Sequence, residues 1–369
     1  MANTNEKQPE KEFLSRFEAA FITDQSDISD PVPFVTVNGS TFASLGDISF
    51  ISGVPKSGKS SITGFIIATA LMKHKPVGLD SLGIISNYQD GRPIIYIDTE
   101  QHPAHTKKRL KTVLKMAKIE RQDSNLLKVM NWRTFPQKER YANLIHALDT
   151  YKTACLWVID GITDFVRSAN NEEDGNELIG LLMQKASENN AAIILLIHEN
   201  GANGKLRGHI GSEAERKCGG AISTKKDRDT DVHTIEPKYL RDAKDFTPVI
   251  FRYDEELGRM VTADESTTQA HLQALKENAK GTELRRLYET CMGTNASLPR
   301  AEFRKRIESQ IDPNNEKIQG TRETNASRKI KEMEDGKYIK VLGEGKNQTV
   351  ESFMSIENPV PYQDDDCPF

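Results

Sequence analysis

Long hydrophobic runs are missing from this chain. No apolar stretch approaches the ~18 residues that a membrane-crossing helix needs. The first residues, "MANTNEKQPEKEF", are polar and charged and contain no apolar segment of the signal-peptide kind. A soluble protein that is neither secreted nor membrane-bound is expected. Cysteine is scarce as well: Cys155, Cys218, Cys291 and Cys367 are scattered, with no Cys-x-x-Cys pair and no histidine at ligand spacing. That pattern argues against a zinc site and a disulfide framework, and makes a reducing cytoplasm the expected setting. Neither sign of charge dominates. Fifty Lys and Arg stand against 54 Asp and Glu, for a net charge of −4. Such a balance does not announce a nucleic-acid binder, although local patches decide that question rather than the sum. No internal repeat is visible.

What is present is enough material for one large α/β domain and a smaller one: 369 residues, 37% hydrophobic and 28% charged. Residues 1–30 read as an arm. Within it "EKEFLSRFEAAFI" spaces Phe13, Phe17 and Phe21 for one helix face, and "TDQSDISDPVP" reads as a linker. Residues 31–262 alternate nearly continuous apolar strands ("DISFISG", "RPIIYIDTE", "NLLKVMNW", "CLWVIDG", "AAIILLIH") with helical patterns. Strands of that kind belong to a parallel sheet covered on both faces. After His198 the pattern changes to three strands, "GGAISTKK", "DVHTIEPKYL" and "TPVIFRYDEE", with short turns and no helix between them. An antiparallel extension on one sheet edge is expected. Residues 263–280 read as a polar linker with helical character. Residues 281–346 read helix, helix, helix, strand, the outline of a winged helix-turn-helix. Residues 347–369 read as a disordered acidic tail.

"GVPKSGKS" satisfies G-x-x-x-x-G-K-[ST] directly after a strand and at the start of a helix. In such a loop, glycines let backbone N–H groups close on phosphate oxygens, and the helix adds its positive end. Gly53, Val54, Pro55, Lys56, Ser57, Gly58, Lys59, Ser60 and Ser61 are therefore the candidate nucleotide contacts. Lys59 is placed to reach the β- and γ-phosphates, and Ser60 to ligate Mg2+. A carboxylate must complete the metal site. Asp160 ends the apolar strand "CLWVID" about 100 residues on, at the edge where ligands bind in open α/β sheets. Hydrolysis also needs a group that orients or deprotonates water. Glu100, just past the strand "IIYID", is the candidate, with Asp98 the competing choice. His198, at the tip of "AAIILLIH", is placed to sense the γ-phosphate.

In this order the four motifs resemble the RecA-like core shared by RecA recombinases, KaiC and replicative hexameric helicases, and are especially similar to RepA-type plasmid helicases, whose sensor strand also ends in His. The resemblance covers about residues 32–262. It implies ATP and Mg2+ held by Lys59 and Ser60, with Asp160 as the Walker B carboxylate and Glu100 as the catalytic one. It also implies a homo-oligomer, a hexameric ring, in which a neighbour supplies a basic finger to the transition state. Arg207 in "GKLRGH" and Lys225, Lys226 and Arg228 in "STKKDR" are the finger candidates. The segment "ENGANGKLRGHIGSEAERK" would be a mobile loop that contacts single-stranded DNA through Lys205 and Arg207. It holds no aromatic residue to stack on bases, and the loop after Asp160 is acidic. In the mildly basic C-terminal unit, Arg328, Lys329 and Lys331 fall where a recognition helix would contact the DNA backbone.

The last residues, "YQDDDCPF", closely resemble the acidic tip of bacterial single-stranded-DNA-binding proteins. Asp364, Asp365 and Asp366 would meet a basic rim, and Pro368 and Phe369 with the terminal carboxylate would fill a pocket on a host replication or repair protein. The expectation is an ATPase that couples hydrolysis to translocation on single-stranded DNA, or to unwinding, in replication or mobilisation of a plasmid, phage or integrated element. The rivals are a helicase loader or DNA-binding regulatory ATPase without unwinding activity, a recombinase-like filament, and a KaiC-like signalling ATPase.

Overall fold

The computed structural model describes residues 17, 18, 20–199, 206–314 and 316–353. They fall into two compact units, divided between Ala263 and Asp264.

The first unit opens with a hairpin, β1 (Pro33–Val37) and β2 (Ser40–Ser44). Asn38 and Gly39 turn it with φ of 47° and 83°, the left-handed pair whose twist matches two antiparallel strands. β3 (Ile48–Gly53) then leads into the phosphate loop and helix α1 (Lys59–Leu71). β4 (Ile84–Ser86) returns to pair with β1. Next come β5 (Ile94–Asp98), α2 (Pro103–Ala117), β6 (Leu127–Asn131), α3 (Gln137–Thr150) and β7 (Leu156–Asp160). They are followed by α4 (Glu172–Asn189), β8 (Ala192–His198), α5 (Gly208–Lys217) and β9 (Gly220–Lys226). The unit closes with β10 (His233–Leu240), β11 (Val249–Asp254) and β12 (Arg259–Thr262).

The large sheet has the order β12-β11-β10-β9-β3-β8-β7-β5-β6. Pairing from β9 through to β6 is parallel, and β9 through to β12 pair antiparallel. This is an α/β fold, with a mostly parallel sheet and an antiparallel edge. Successive residues of β7 show why its strands read as unbroken apolar runs. Leu156 and Val158 pack on one face against α1, α2 and the small β2-β1-β4 sheet. Trp157 and Ile159 pack on the other against α3, α4 and α5.

Three local features depart from the sequence reading. The small sheet was not anticipated, although Asn38-Gly39 between apolar runs is a strong hairpin signal. The segment after His198, expected as one mobile loop, becomes helix from Gly208 onward. Ile210 and Ala214 are buried, and Glu213 holds Arg216 and Lys217 one turn on. A fourth antiparallel strand, β12, follows a tight turn at Gly258, where φ is 64°.

In the second unit α6 runs without a break from Glu265 to Met292, so the polar stretch read as a linker is its first half. Asp264 caps it by accepting from the Thr267 N–H at 2.9 Å. β13 (Ser297–Pro299), α7 (Arg300–Ile311), α8 (Gln319–Asp335), β14 (Ile339–Leu342) and β15 (Thr349–Ser352) complete it, with antiparallel sheet order β13-β15-β14. Its core is its own: Leu284, Tyr288, Phe303, Ile307, Ile330 and Met333 are buried together. Among the described residues no helix is long and apolar enough to cross a membrane. Phe13 and the tail residues Asp364, Asp365, Asp366, Pro368 and Phe369 lie outside the described residues.

Separate cores imply separable stability. Phe303→Ala removes a fully buried ring and should cost the second unit about 3–5 kcal/mol. Hydrogen exchange should then show lost protection in α6–α8, with α1 and β3 unchanged.

Candidate active site

The loop Gly53–Gly58 is shaped by backbone that ordinary side chains resist. Gly53, Lys56 and Gly58 have φ of 149°, 64° and 108°. A Cβ on Gly53 would lie 2.5 Å from the Ser57 hydroxyl and the Thr224 carbonyl, so only glycine fits there. Strands β9 and β10 brace the loop from the side. The Ser57 and Thr224 hydroxyls share a 2.5 Å hydrogen bond. The ring of His233, stacked on Phe251, meets the Ser57 carbonyl through Nδ1 at 2.9 Å. A carbonyl oxygen can only accept, so Nδ1 carries the proton of that bond, and burial lowers the pKa of the ring.

Strand register brings the candidate residues together. Gly53 pairs with His198 across β3–β8, and Asp98 with Asp160 across β5–β7. Lys59 donates to the carbonyls of Gly53 and Val54 at 2.6 and 3.0 Å, and its Nζ lies 3.3 Å from His198 Nδ1. On the other side of the imidazole, Nε2 lies 3.2 Å from Glu100 Oε1. An ammonium can only donate, so Nδ1 accepts and Nε2 carries the proton that Glu100 receives. The result is a chain, Lys59–His198–Glu100, from the phosphate loop to the second carboxylate. The bond from His198 holds the Glu100 carboxyl below its ordinary pKa. Burial lowers the pKa of Lys59, against the opposing pull of Asp160, Glu100 and Glu199.

The geometry separates Asp98 from Glu100. Asp98 is fully buried, and both of its oxygens are engaged. Oδ1 accepts from the N–H groups of Glu100 and Gln101 at 3.1 and 2.9 Å, and Oδ2 from the Thr106 hydroxyl at 2.7 Å. It ties the strand tip to α2. Glu100 is the carboxylate left facing the loop.

Asp160 is buried, and its Oδ2 collects three donors: Ser60 Oγ at 3.4 Å, Tyr96 Oη at 3.1 Å and Arg109 Nη1 at 3.2 Å. Arg109 also bonds the Tyr96 hydroxyl. Burial pushes the Asp160 carboxyl up to about 6, while Arg109 pulls it down. Neither Tyr96 nor Arg109 was singled out from the sequence. Tyr96 sits two residues before Asp98 and so shares its side of the strand, which is a usable signal. Arg109 is nine residues past Glu100 on a helix, and no spacing rule joins it to Asp160. Beside Ser61 opens a cavity of about 250 Å3, bordered by Gln101, His105, Arg109, Tyr253 and Arg259.

The other candidates lie apart from this cluster in different ways. Lys225 and Lys226 on β9 are paired with Glu236 at 2.6 Å and Asp231 at 2.5 Å. Arg228 is exposed in the turn that follows. Arg207 caps α5, and its N–H donates to the His198 carbonyl at 3.0 Å, while an antiparallel bridge joins Glu199 to Leu206. Lys205 lies outside the described residues. On α8, Lys329 pairs with Glu332 at 3.0 Å and Arg328 approaches the same carboxylate at 3.9 Å, whereas Lys331 is exposed.

Residues 16–204 match the family described as "AAA domain". Among solved structures, the crystal structure of the RadB recombinase aligns with 15% identity and a TM-score of 0.44, over 60% of this chain and 93% of that one. No curated protein matches the sequence significantly.

Two outcomes follow from the carboxylate geometry. Glu100→Gln should leave nucleotide binding intact and slow hydrolysis ~10²–10⁴-fold, whereas Asp98→Asn should lower the melting temperature by loosening the tip of β5, costing ~1–3 kcal/mol. Calorimetric binding and melting of the two variants separate these roles. A cation at Asp160 needs the ionised carboxylate, and the folded protein holds a proton there up to about pH 6. Mg2+ affinity, read as the Mg2+ dependence of nucleotide-induced thermal stabilisation, should therefore fall roughly tenfold per pH unit below about 6 and level off above it.

Proposed function

This chain belongs to the AAA domain family of nucleotide-hydrolysing ATPases, and from that premise we propose that it hydrolyses MgATP to move along single-stranded DNA as a hexameric, RepA-type helicase. The observation that carries the ATPase part is the convergence of Lys59, Ser60, Asp160, Glu100 and His198 at one sheet edge, with three of them joined in one hydrogen-bonded chain.

In this reading the loop amides and Lys59 grip the phosphates, and the base enters the cavity beside Ser61. Ser60 and Asp160 offer a hydroxyl and a carboxylate 3.4 Å apart, hard oxygen donors suited to Mg2+. When bound, that ion neutralises charge on the phosphates. Glu100, ionised and held by His198, orients the attacking water. A γ-phosphate draws the Lys59 ammonium away from His198 Nδ1. The imidazole, which also bonds Glu100, thereby registers whether the triphosphate is intact. The His198 carbonyl holds the backbone of Arg207, so the same strand tip is tied to the segment that would meet DNA. In the ring, Arg207 and Arg228 are favoured as the neighbour's finger, because Lys225 and Lys226 already have carboxylate partners. The tail is assigned to docking on host replication or repair proteins through Asp364–Asp366, Pro368 and Phe369.

A loader or regulatory ATPase is the second reading. It is favoured by Glu332, which offsets Lys329 and Arg328 on the expected recognition helix. ATPase rate with and without single-stranded DNA, followed by strand displacement on a forked duplex, separates the two. The helicase reading requires stimulation and displacement; stimulation without displacement leaves the loader. Arg207→Ala or Arg228→Ala, whichever is the finger, should slow hydrolysis ~10³-fold or more while sparing nucleotide binding.

A further inference from the structure

Helix α2 carries Lys108, Lys111, Lys115 and Lys118, all exposed, at spacings of three, four and three residues through its C-cap. On an α-helix those intervals return to one stripe. Lys108, Lys111 and Lys115 rim a shallow groove beside Leu257 and Arg259, and Lys118 borders its continuation.

The stripe is not arranged for the benefit of the helix. No acidic residue lies between Gln101 and Ile119, so no lysine has a carboxylate three or four residues away on the helix. The intervals instead set lysine against lysine, and like charges at those spacings repel. Lys115 and Lys118 at the C-terminal end gain from the helix dipole, but Lys108 and Lys111 do not. Among the described residues none of the four forms an ion pair, although the acidic turn Asp254–Glu256 lies next to Leu257 in sequence. Arg259 is the exception in the groove, lying 3.9 Å from Asp80.

We propose that this stripe is a binding track for the phosphate backbone of single-stranded DNA, which rests on the DNA-translocating reading above. From Lys108 to Lys118 the four unpaired ammonium groups span ten helical steps, about 15 Å, over which a single strand, more extended than the ~3.4 Å per phosphate of a duplex strand, presents about two or three phosphates. Lysine also suits this occupant better than a second protein surface. Its compact, strongly hydrated charge is depleted from protein–protein interfaces and is a regular phosphate contact. The Lys108 end of the track also borders the cavity beside Ser61; the track shares no residue with the segment around Lys205 or with the second unit, and its contacts carry no sequence information.

The test replaces all four lysines with glutamine, which keeps helix propensity. Binding of the full-length protein to a labelled oligothymidylate is followed by anisotropy across a salt series. The slope of log affinity against log salt should fall by about 1.4–2.1, for two or three phosphate contacts at ~0.7 each on a single strand, with the melting temperature not lowered. A four-arginine variant should retain the wild-type slope. An unaltered slope in the glutamine variant overturns the track while leaving the DNA reading in place. So does loss of self-association with oligonucleotide binding intact, which assigns the stripe to a second copy. A wild-type protein that does not bind the oligonucleotide overturns both.

Discussion

Parallel pairing of β3 with β8, and of β5 with β7, is the constraint on which the site depends. Two rungs of that ladder, Gly53 with His198 and Asp98 with Asp160, place four segments distant in sequence at one sheet edge. A shift of one residue in either pairing would turn its side chains to the opposite face. Burial makes such a shift prohibitive. Strands β3, β5 and β7 are covered on both faces, and any slip would drive Ile, Trp and Val side chains out of their packing. The geometry of the cluster is thus held by hydrophobic burial elsewhere in the sheet.

The same burial creates the site's electrostatic character. A carboxylate at Asp160 is desolvated, and Tyr96 and Arg109 compensate it. A lysine at position 59 is desolvated too, and loop carbonyls and a histidine hold it. Charges kept in this condition interact strongly with whatever enters, because little water is left to screen them. The cluster is therefore suited to a charged ligand that brings its own counter-ion, as a metal-bound triphosphate does. His198 lies between the two halves, meeting Lys59 through Nδ1 and Glu100 through Nε2.

Several parts of this arrangement were hidden in the sequence for identifiable reasons. Helix α5 begins inside a glycine-rich stretch whose composition reads as a loop. Its helicity depends on burying Ile210 and Ala214 in the core, a tertiary effect that outweighs weak local propensity. The β1–β2 hairpin was legible from Asn38-Gly39, but its third strand, β4, is only three residues long and joins by long-range pairing. Asp98 and Glu100 have the same chemistry two residues apart, and no pattern ranks them. Backbone amides and Thr106 engage Asp98, and that alone leaves Glu100 facing the loop.

What the sequence by itself determined was local and periodic: the phosphate loop, the apolar strands that end on Asp160 and His198, and the alternation that makes the fold α/β. Each of these is written in neighbouring residues, because glycine φ freedom, strand alternation and helix periodicity act over a few positions. The tertiary structure alone decided which side chains share a charge. The bond from Arg109 to Asp160, the pairing of Lys225 and Lys226 with carboxylates, and the linkage of Lys59 to Glu100 through His198 all join residues that the chain separates. Coulombic and hydrogen-bond energies depend on distance in space, and only the packed sheet sets those distances.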